Sequence, residues 1–274
     1  MPYELHGRLT TPDDEVVVWH YLGLPQLTSL LNKRSLFFCR LDALEDKFEG
    51  MLPRSMVNLR REFHAKHTGP VVEKYDALIN EATDPAQAAM FNAERTVVAD
   101  SRDIVLSSIP ERRACTAVSC WHMNDEEAMG MWRTYGSPEF GIAIKSSVAR
   151  LKEALRAVGE PVYVAKVEYH NYESAPARGA LMNRFVPVFW KQAAFRSEAE
   201  LRCAVFDRDM SPTGISWFNP KGVSVPVDID GLIERIVVSP AAAPWYIETV
   251  AALVQRFGFT GPVQPSELAA DPSY

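Results

Sequence analysis

The chain opens on a β-branched and aromatic run, Glu15 to Tyr21 (EVVVWHY), which predicts a strand. Pro25 then opens LPQLTSLLNKR, whose apolar positions recur at helical spacing, and SLFFCRL follows as a second strand. From Pro53 to Asp103 the pattern turns charged and Ala-rich, with Met56, Leu59 and Phe63 and later Ala89, Met90 and Val97 at helical intervals. This predicts two helices, broken near Thr83-Asp84-Pro85, that form a helical insertion or lid over 53–103. After Pro110 the strands ACTAVSCW, FGIAIKS and PVYVAKVEY alternate with the helical segments DEEAMGMWRTY and SVARLKEALRAV. Asp125 is placed to cap the first of these helices and Gly136 to end it.

The strand ELRCAVF, the turn-rich SPTGISWFNPKG, the strands VSVPVD and IERIVVS and a helix, PWYIETVAALVQRFG, complete the pattern. A frayed tail, AADPSY, is expected after them. There is no internal repeat. These elements predict an α+β fold: a single domain over 1–274 built on one mixed, largely antiparallel sheet.

Composition narrows the partners. With 47% hydrophobic residues among 274, the chain can bury a large core as one domain. The net charge of −6 and the scatter of its 29 basic residues argue against broad electrostatic binding to duplex nucleic acid. The first residues, Met-Pro-Tyr-Glu-Leu-His, lack the apolar stretch of a signal peptide, and no run approaches the roughly 18 apolar residues of a membrane span. No membrane association and a cytoplasmic location are expected.

Cys39, Cys115, Cys120 and Cys203 contain no C-x-x-C pair, so neither a disulfide framework nor a zinc ribbon is suggested. Cys115-x4-Cys120-x-His122 reads as part of a metal site or as small buried thiols, and the second reading implies no metal. Nucleotide-binding glycine loops, the nucleophile elbow and the H-E-x-x-H zinc motif are all absent.

Polar residues gather in three places: Trp19-His20-Tyr21, Ser119 to Tyr135, and Glu198 to Arg202. Strand alternation turns His20 away from Trp19 and Tyr21, towards the side of Val16 and Val18. A lone His there is either a core histidine bonded to a carbonyl or a site residue, and Arg40, ending the second strand, could reach the same cleft. In a helix from Asp125, Met129, Trp132 and Tyr135 share one side; Met129 reads as core, while Trp132 and Tyr135 could wall a core or stack on a flat ring. An extended backbone puts Glu198, Glu200 and Arg202 on one face, opposite Ala199, Leu201 and Cys203. Ser197-x-x-Glu200 could instead start a helix as a capping box.

Together these features resemble the mainly bacterial family known as domain of unknown function 2971 (DUF2971). The likeness is carried by VVVWHYLGLPQLTSLLNKRSLFFCRLDAL, by Asp46, Phe48 and Glu49 in a short acidic patch, and by VSCWHM, MWRTYG and FGIAI. It is completed by Lys191, Phe195, Glu198, Glu200 and Arg202. In the acidic patch Glu45 and Lys47 stand where the family pattern has Asn and Pro.

The order of His20, Ser119 and Glu200 also resembles the ADP-ribosyltransferase superfamily. That resemblance implies a split sheet and NAD as substrate, needing no metal. It casts His20 as a ribose ligand, with Tyr21 beside it, and Ser119 as support for the nicotinamide side. Trp132 or Tyr135 would stack on the nicotinamide ring, Arg40 would meet the pyrophosphate and Arg202 would line the nucleotide site. Glu200 would stabilise the oxocarbenium-like transition state, and Glu198 would orient or deprotonate the acceptor. The acceptor would be a protein, a nucleic acid, a small molecule or water. Two other readings stay open. One is a non-catalytic sensor holding a nucleotide ligand. The other is a metal-independent nuclease of bacterial defence or toxin systems, with His20, Glu200 and Arg202 as acid, base and phosphate clamp.

Overall fold

The structure, a computed structural model, describes residues 7–101, 103–156, 159, 161–173, 185–207 and 221–270. The first six residues, most of the turn-rich stretch expected at 211–222 and the tail from 271 lie outside the described residues.

The first half of the chain forms β1 (Val17–Gly23), α1 (Leu24–Lys33), β2 (Ser35–Arg40), α2 (Arg54–Glu81), α3 (Pro85–Ala99), α4 (Ile104–Ser107), α5 (Ile109–Ala114) and β3 (Thr116–Met123). It continues with α6 (Met129–Thr134), β4 (Gly141–Ser147), α7 (Val148–Ala154), β5 (Val162–Lys166), β6 (Glu168–His170) and β7 (Trp190–Gln192). The last elements are β8 (Glu200–Phe206), β9 (Gly222–Pro226), α8 (Ile229–Leu232), β10 (Arg235–Val238), α9 (Pro244–Arg256) and β11 (Val263–Pro265).

Nine of these strands make one mixed, mostly antiparallel sheet, so the fold class is α+β as expected; β6 and β7 pair separately. Its centre is β3. One edge of β3 pairs with β8 along its length, from Thr116↔Phe206 to His122↔Glu200, and β8 carries β5 on its far side. The other edge is shared: β1 takes His122 and Met123, β2 takes Ala117 and Val118, and neither takes Ser119 to Trp121. Beyond those contacts β1 continues with β4 and β2 with β9, so the sheet forks at Cys120.

Side-chain alternation gives the sheet two unlike faces. Val18, Leu22, Trp121, Ile142, Ile144, Leu201 and Cys203 point to one, where Leu27, Leu30 and Leu31 of α1, Leu151 of α7 and Val250 of α9 cover them in the main core. On the other face lie Trp19, Tyr21, Ala143 and Val237 with Trp132 of α6. Further along that face Val118, Ala165 and Ala204 pack against Leu41, Val188 and Phe189. Polar residues fill the space between these two apolar patches.

Two helices stand where the periodicity over 53–103 predicts them. Asp84 caps α3 by accepting from the Ala86 N–H (3.0 Å), which sets the break at the expected place. Only Met56 and Arg60 of α2 are buried and no residue of α3 is, so the pair packs chiefly on itself. No described helix is long and apolar enough to cross a membrane.

A charged cluster on the forked sheet as candidate functional site

Glu200 and Arg202 begin β8 on the same face, where they meet Glu49 and Lys191. The Arg202 Nε and Nη2 donate to the two Glu200 oxygens at 2.8 and 2.9 Å, and its Nη1 donates to Glu49 (2.9 Å) and to the Val188 carbonyl (2.5 Å). Lys191 Nζ lies 2.6 Å from Glu198, 3.3 Å from Glu200 and 3.3 Å from Glu49. All five charged side chains are buried, Arg202 completely so. Three carboxylates against two cations leave one net negative charge inside the cluster.

Local structure explains each placement. Asp46 accepts from the Phe48 N–H (2.9 Å) and Gly50 adopts φ +71°, a left-handed turn that a side chain would strain, and between them Glu49 is turned inward. Lys191 sits on the short strand β7, over the Phe195 ring (4.9 Å). Glu198 ends a 3-10 turn, and Ala199 takes φ +39°, which swings the chain into β8 and returns the Glu198 carboxylate to Lys191. The capping-box reading of Ser197-x-x-Glu200 is therefore corrected: a strand begins at Glu200.

Burial alone would raise the Glu200 pKa, but the Arg202 charge and its hydrogen bonds, with Lys191, bring it down to about 2. Lys191 loses solvation, yet Glu200 and Glu49 hold its pKa above the ordinary lysine value. Glu200 and Lys191 are therefore both charged at neutral pH.

At the edge of this cluster Tyr135 Oη donates to Glu198 at 2.6 Å, and Tyr135 is 46% exposed. Burial, then the bond to Glu198, push its phenol well above the usual range. Behind it, Tyr169 Oη accepts from the Glu200 N–H (2.8 Å), and burial raises that phenol to about 12. Glu198, through the exposed Tyr135, is thus the member of the cluster nearest the surface.

The residues expected to converge with Glu200 from the other two polar places divide between the two faces. His20 and Ser119 lie on the helix-covered face. His20 Nδ1 bonds the Cys120 carbonyl (2.9 Å) at the fork, with its ring 4.9 Å from Trp121. It supplies a bond to an oxygen that neither β1 nor β2 reaches, and burial lowers its pKa. Ser119 is buried and its Oγ accepts from Trp121 Nε1 (3.1 Å). The expected meeting of His20, Ser119 and Glu200 in one pocket is corrected, because alternation along β3 separates Ser119 from Cys120 and His122. With it falls the nuclease set, whose His20 and Arg202 face opposite ways.

Arg40 pairs with Asp42 through two bonds and lies opposite Ala117, on the helix-covered face that also carries His20, three residues along β3 from Cys120 or about 10 Å at strand rise. The charged cluster is on the other face, so Arg40 is not part of it. Trp132 is buried, donates to Glu127 (3.0 Å) and meets Tyr21 edge-on at 5.0 Å, so it is core and presents no face to a ring. Tyr21 is on the cluster's face, but it is buried and its Oη accepts from the Ala128 N–H (3.0 Å). That bond holds the segment before α6 extended, so α6 starts at Met129 and Asp125 caps nothing.

Glu49 and Lys191 belong to the cluster although the sequence reading did not place them in a site. Tyr169 had no signal in the sequence. Cys120, opposite Arg202, contributes a thiol hydrogen-bonded to Glu200, and burial raises its pKa well above the ordinary thiol value. Among the described residues no group of His, Cys, Asp and Glu is arranged to hold a metal ion.

No protein-family model matches the chain, and no curated protein matches it in sequence. Among solved structures, DarT of Thermus sp. 2.9, determined in complex with ADP-ribosylated single-stranded DNA, aligns over 95% of this chain and 98% of its own. The TM-score is 0.38 and the identity 11%, too low for that likeness to carry an argument.

Proposed function

We propose that this chain is an NAD-consuming, ADP-ribosyltransferase-like enzyme whose reacting end is Glu198 with Tyr135. One observation carries the reading: the buried cluster holds one carboxylate more than it holds cations, and Glu198 is the member bonded to the exposed Tyr135. A preorganised negative charge in a water-poor site stabilises the oxocarbenium-like cation that develops as a nicotinamide glycosidic bond breaks. Lys191 fixes one Glu198 oxygen and Tyr135 the other. Glu200 and Arg202 position this pair; with both Glu200 oxygens engaged by Arg202, Glu200 is a support. His20 and Ser119 hold the fork together and do not touch the nucleotide. The acceptor is a protein, a nucleic acid, a small molecule or water.

A second reading is a nucleotide-binding module without turnover. It is favoured by the two-point lock of Glu200 onto Arg202, which engages the carboxylate that the superfamily likeness cast as catalytic. Incubating the protein with NAD labelled in its ADP-ribose part, alone and with cell lysate, separates the two. Labelled macromolecule or free labelled ADP-ribose supports the enzyme. Recovery of intact NAD, with a thermal shift on adding NAD, supports the module.

A further inference from the structure

Glu127, just ahead of α6, is a charged group that the proposed chemistry leaves unused, and its carboxylate accepts three hydrogen bonds from neutral donors. Oε2 takes Trp132 Nε1 (3.0 Å) and Ser266 Oγ (2.5 Å), and Oε1 takes the Glu267 N–H (2.9 Å). Bonds to an ionised acceptor are roughly twice as strong as neutral ones, so three of them fix the carboxylate firmly. Two of the three donors come from the far end of the chain, where β11 runs parallel to β10 at the sheet edge. Ser266 is buried there, its own N–H bonded to the Val238 carbonyl (2.9 Å) and its Oγ accepting from the Leu268 N–H (3.2 Å). The sheet edge therefore sets Ser266, and Ser266 sets Glu127.

The third donor belongs to α6. A helix of six residues is too short to hold itself in place, and the one side chain that α6 buries is Trp132. Its seat on the sheet follows from that ring, edge-on to Tyr21 at 5.0 Å, from the Glu127 bond to the indole N–H, and from the bond of the Ala128 N–H to Tyr21 Oη (3.0 Å). Tyr135 closes the helix three residues after Trp132, and its hydroxyl reaches Glu198 at 2.6 Å. Any shift of Trp132 is thus passed to the Tyr135 hydroxyl one helical turn away.

We infer that Glu127 is a positioning residue of the proposed active site: held by Ser266 and the Glu267 N–H, it fixes Trp132 and through it brings Tyr135 onto Glu198. It touches neither nucleotide nor acceptor. Its effect on the reaction is to keep the Glu198 carboxylate aimed by Tyr135, so the inference rests on the proposed role of that pair, whereas the placement of Tyr135 is read without turnover.

The test pairs NMR of 13Cζ-tyrosine-labelled protein with nicotinamide release from NAD, in wild type, Glu127→Ala, Glu127→Gln, Tyr135→Phe and Glu127→Ala combined with Tyr135→Phe. Tyr135→Phe identifies the Tyr135 resonance by its loss, and Gln keeps one oxygen, which can serve Trp132 and Ser266 together as Oε2 does. The expected result is a Tyr135 resonance displaced in Glu127→Ala and restored in Glu127→Gln, with release slowed about tenfold or more by the first and little by the second. In the Tyr135→Phe background Glu127→Ala should slow release no further, because the two residues act in series. A displaced resonance beside a wild type that releases no nicotinamide would keep the placement of Tyr135 by Glu127 and remove the enzyme reading. A Tyr135 resonance unmoved in a folded Glu127→Ala, or effects of the two substitutions that simply add, overturns the inference and makes Glu127 a support of the fold alone. If Glu127→Ala does not fold, Ser266→Ala, which leaves the Trp132 and Glu267 bonds to Glu127, is read in the same way.

Discussion

Arg202 and Glu200, two residues apart on β8, face each other through two parallel hydrogen bonds of 2.8 and 2.9 Å in a place from which water is excluded. A planar guanidinium matches both carboxylate oxygens at once, which a lysine ammonium cannot do. Arg202 also ties Glu49, 153 residues earlier in the chain, to the same point. Removing one side of a buried pair leaves the other charge uncompensated, typically at a cost of about 3 to 5 kcal/mol. Arg202→Met is expected to lose stability on that scale and Arg202→Lys to lose part of it, both read as lowered midpoints in urea. Unchanged midpoints would mean that the cluster adds nothing to the fold.

The depressed Glu200 pKa makes stability depend on acidity. Its folded value of about 2 lies below the ordinary glutamate value of 4.5, so the unfolded chain takes up the proton first. The contribution is fully present above about pH 5 and is lost as pH falls towards 2. The difference corresponds to roughly 3 kcal/mol at neutral pH. Urea midpoints measured from pH 7 to pH 3 should fall steadily, and Glu200→Gln, lower at pH 7, should show a flatter acid limb. Parallel curves for the two proteins would contradict this.

His20 is assigned to the fork. His20→Leu orphans the Cys120 carbonyl and should destabilise the chain by about 1 to 3 kcal/mol while leaving NAD affinity unchanged. Calorimetric titration with NAD checks it: loss of binding in a folded His20→Leu would return His20 to the site.

Trp132 and Tyr135 were indistinguishable as wall or stacking surface from helical spacing, and burial separates them. Trp132→Ala should cost about 3 to 5 kcal/mol in stability as a cavity in the core. Tyr135→Phe, which removes only the hydroxyl bonded to Glu198, should cost about 1 kcal/mol or less and act on catalysis instead. Melting curves of the two variants give the comparison, and a larger loss for Tyr135→Phe would refute the assignment.

Part of the cluster could be read in the chain because alternation is a local property. Glu200 and Arg202 share a face in any extended backbone, whereas nothing local joins Glu49 and Lys191 to β8, and the sequence did not place them in the site. The separation of His20 and Ser119 from Glu200 was not legible, since it follows from which strand pairs with which residue of β3. A fork that hands one edge of β3 to two strands leaves no mark on spacing. Glu198 joined the cluster for a reason different from the expected one: the left-handed Ala199 breaks the extended run, and a 3-10 turn returns the carboxylate. The start of α6 was displaced by a contact over 107 residues, from Ala128 to Tyr21, which no local signal contains.

The central claim, that Glu198 is the reacting carboxylate, is tested most directly by nicotinamide release from NAD under single-turnover conditions, comparing wild type with Glu198→Gln. The account predicts release by the wild type and a loss of about 100-fold or more in Glu198→Gln, with its melting temperature largely kept. Equal rates for the two proteins, or no release by either, would contradict it.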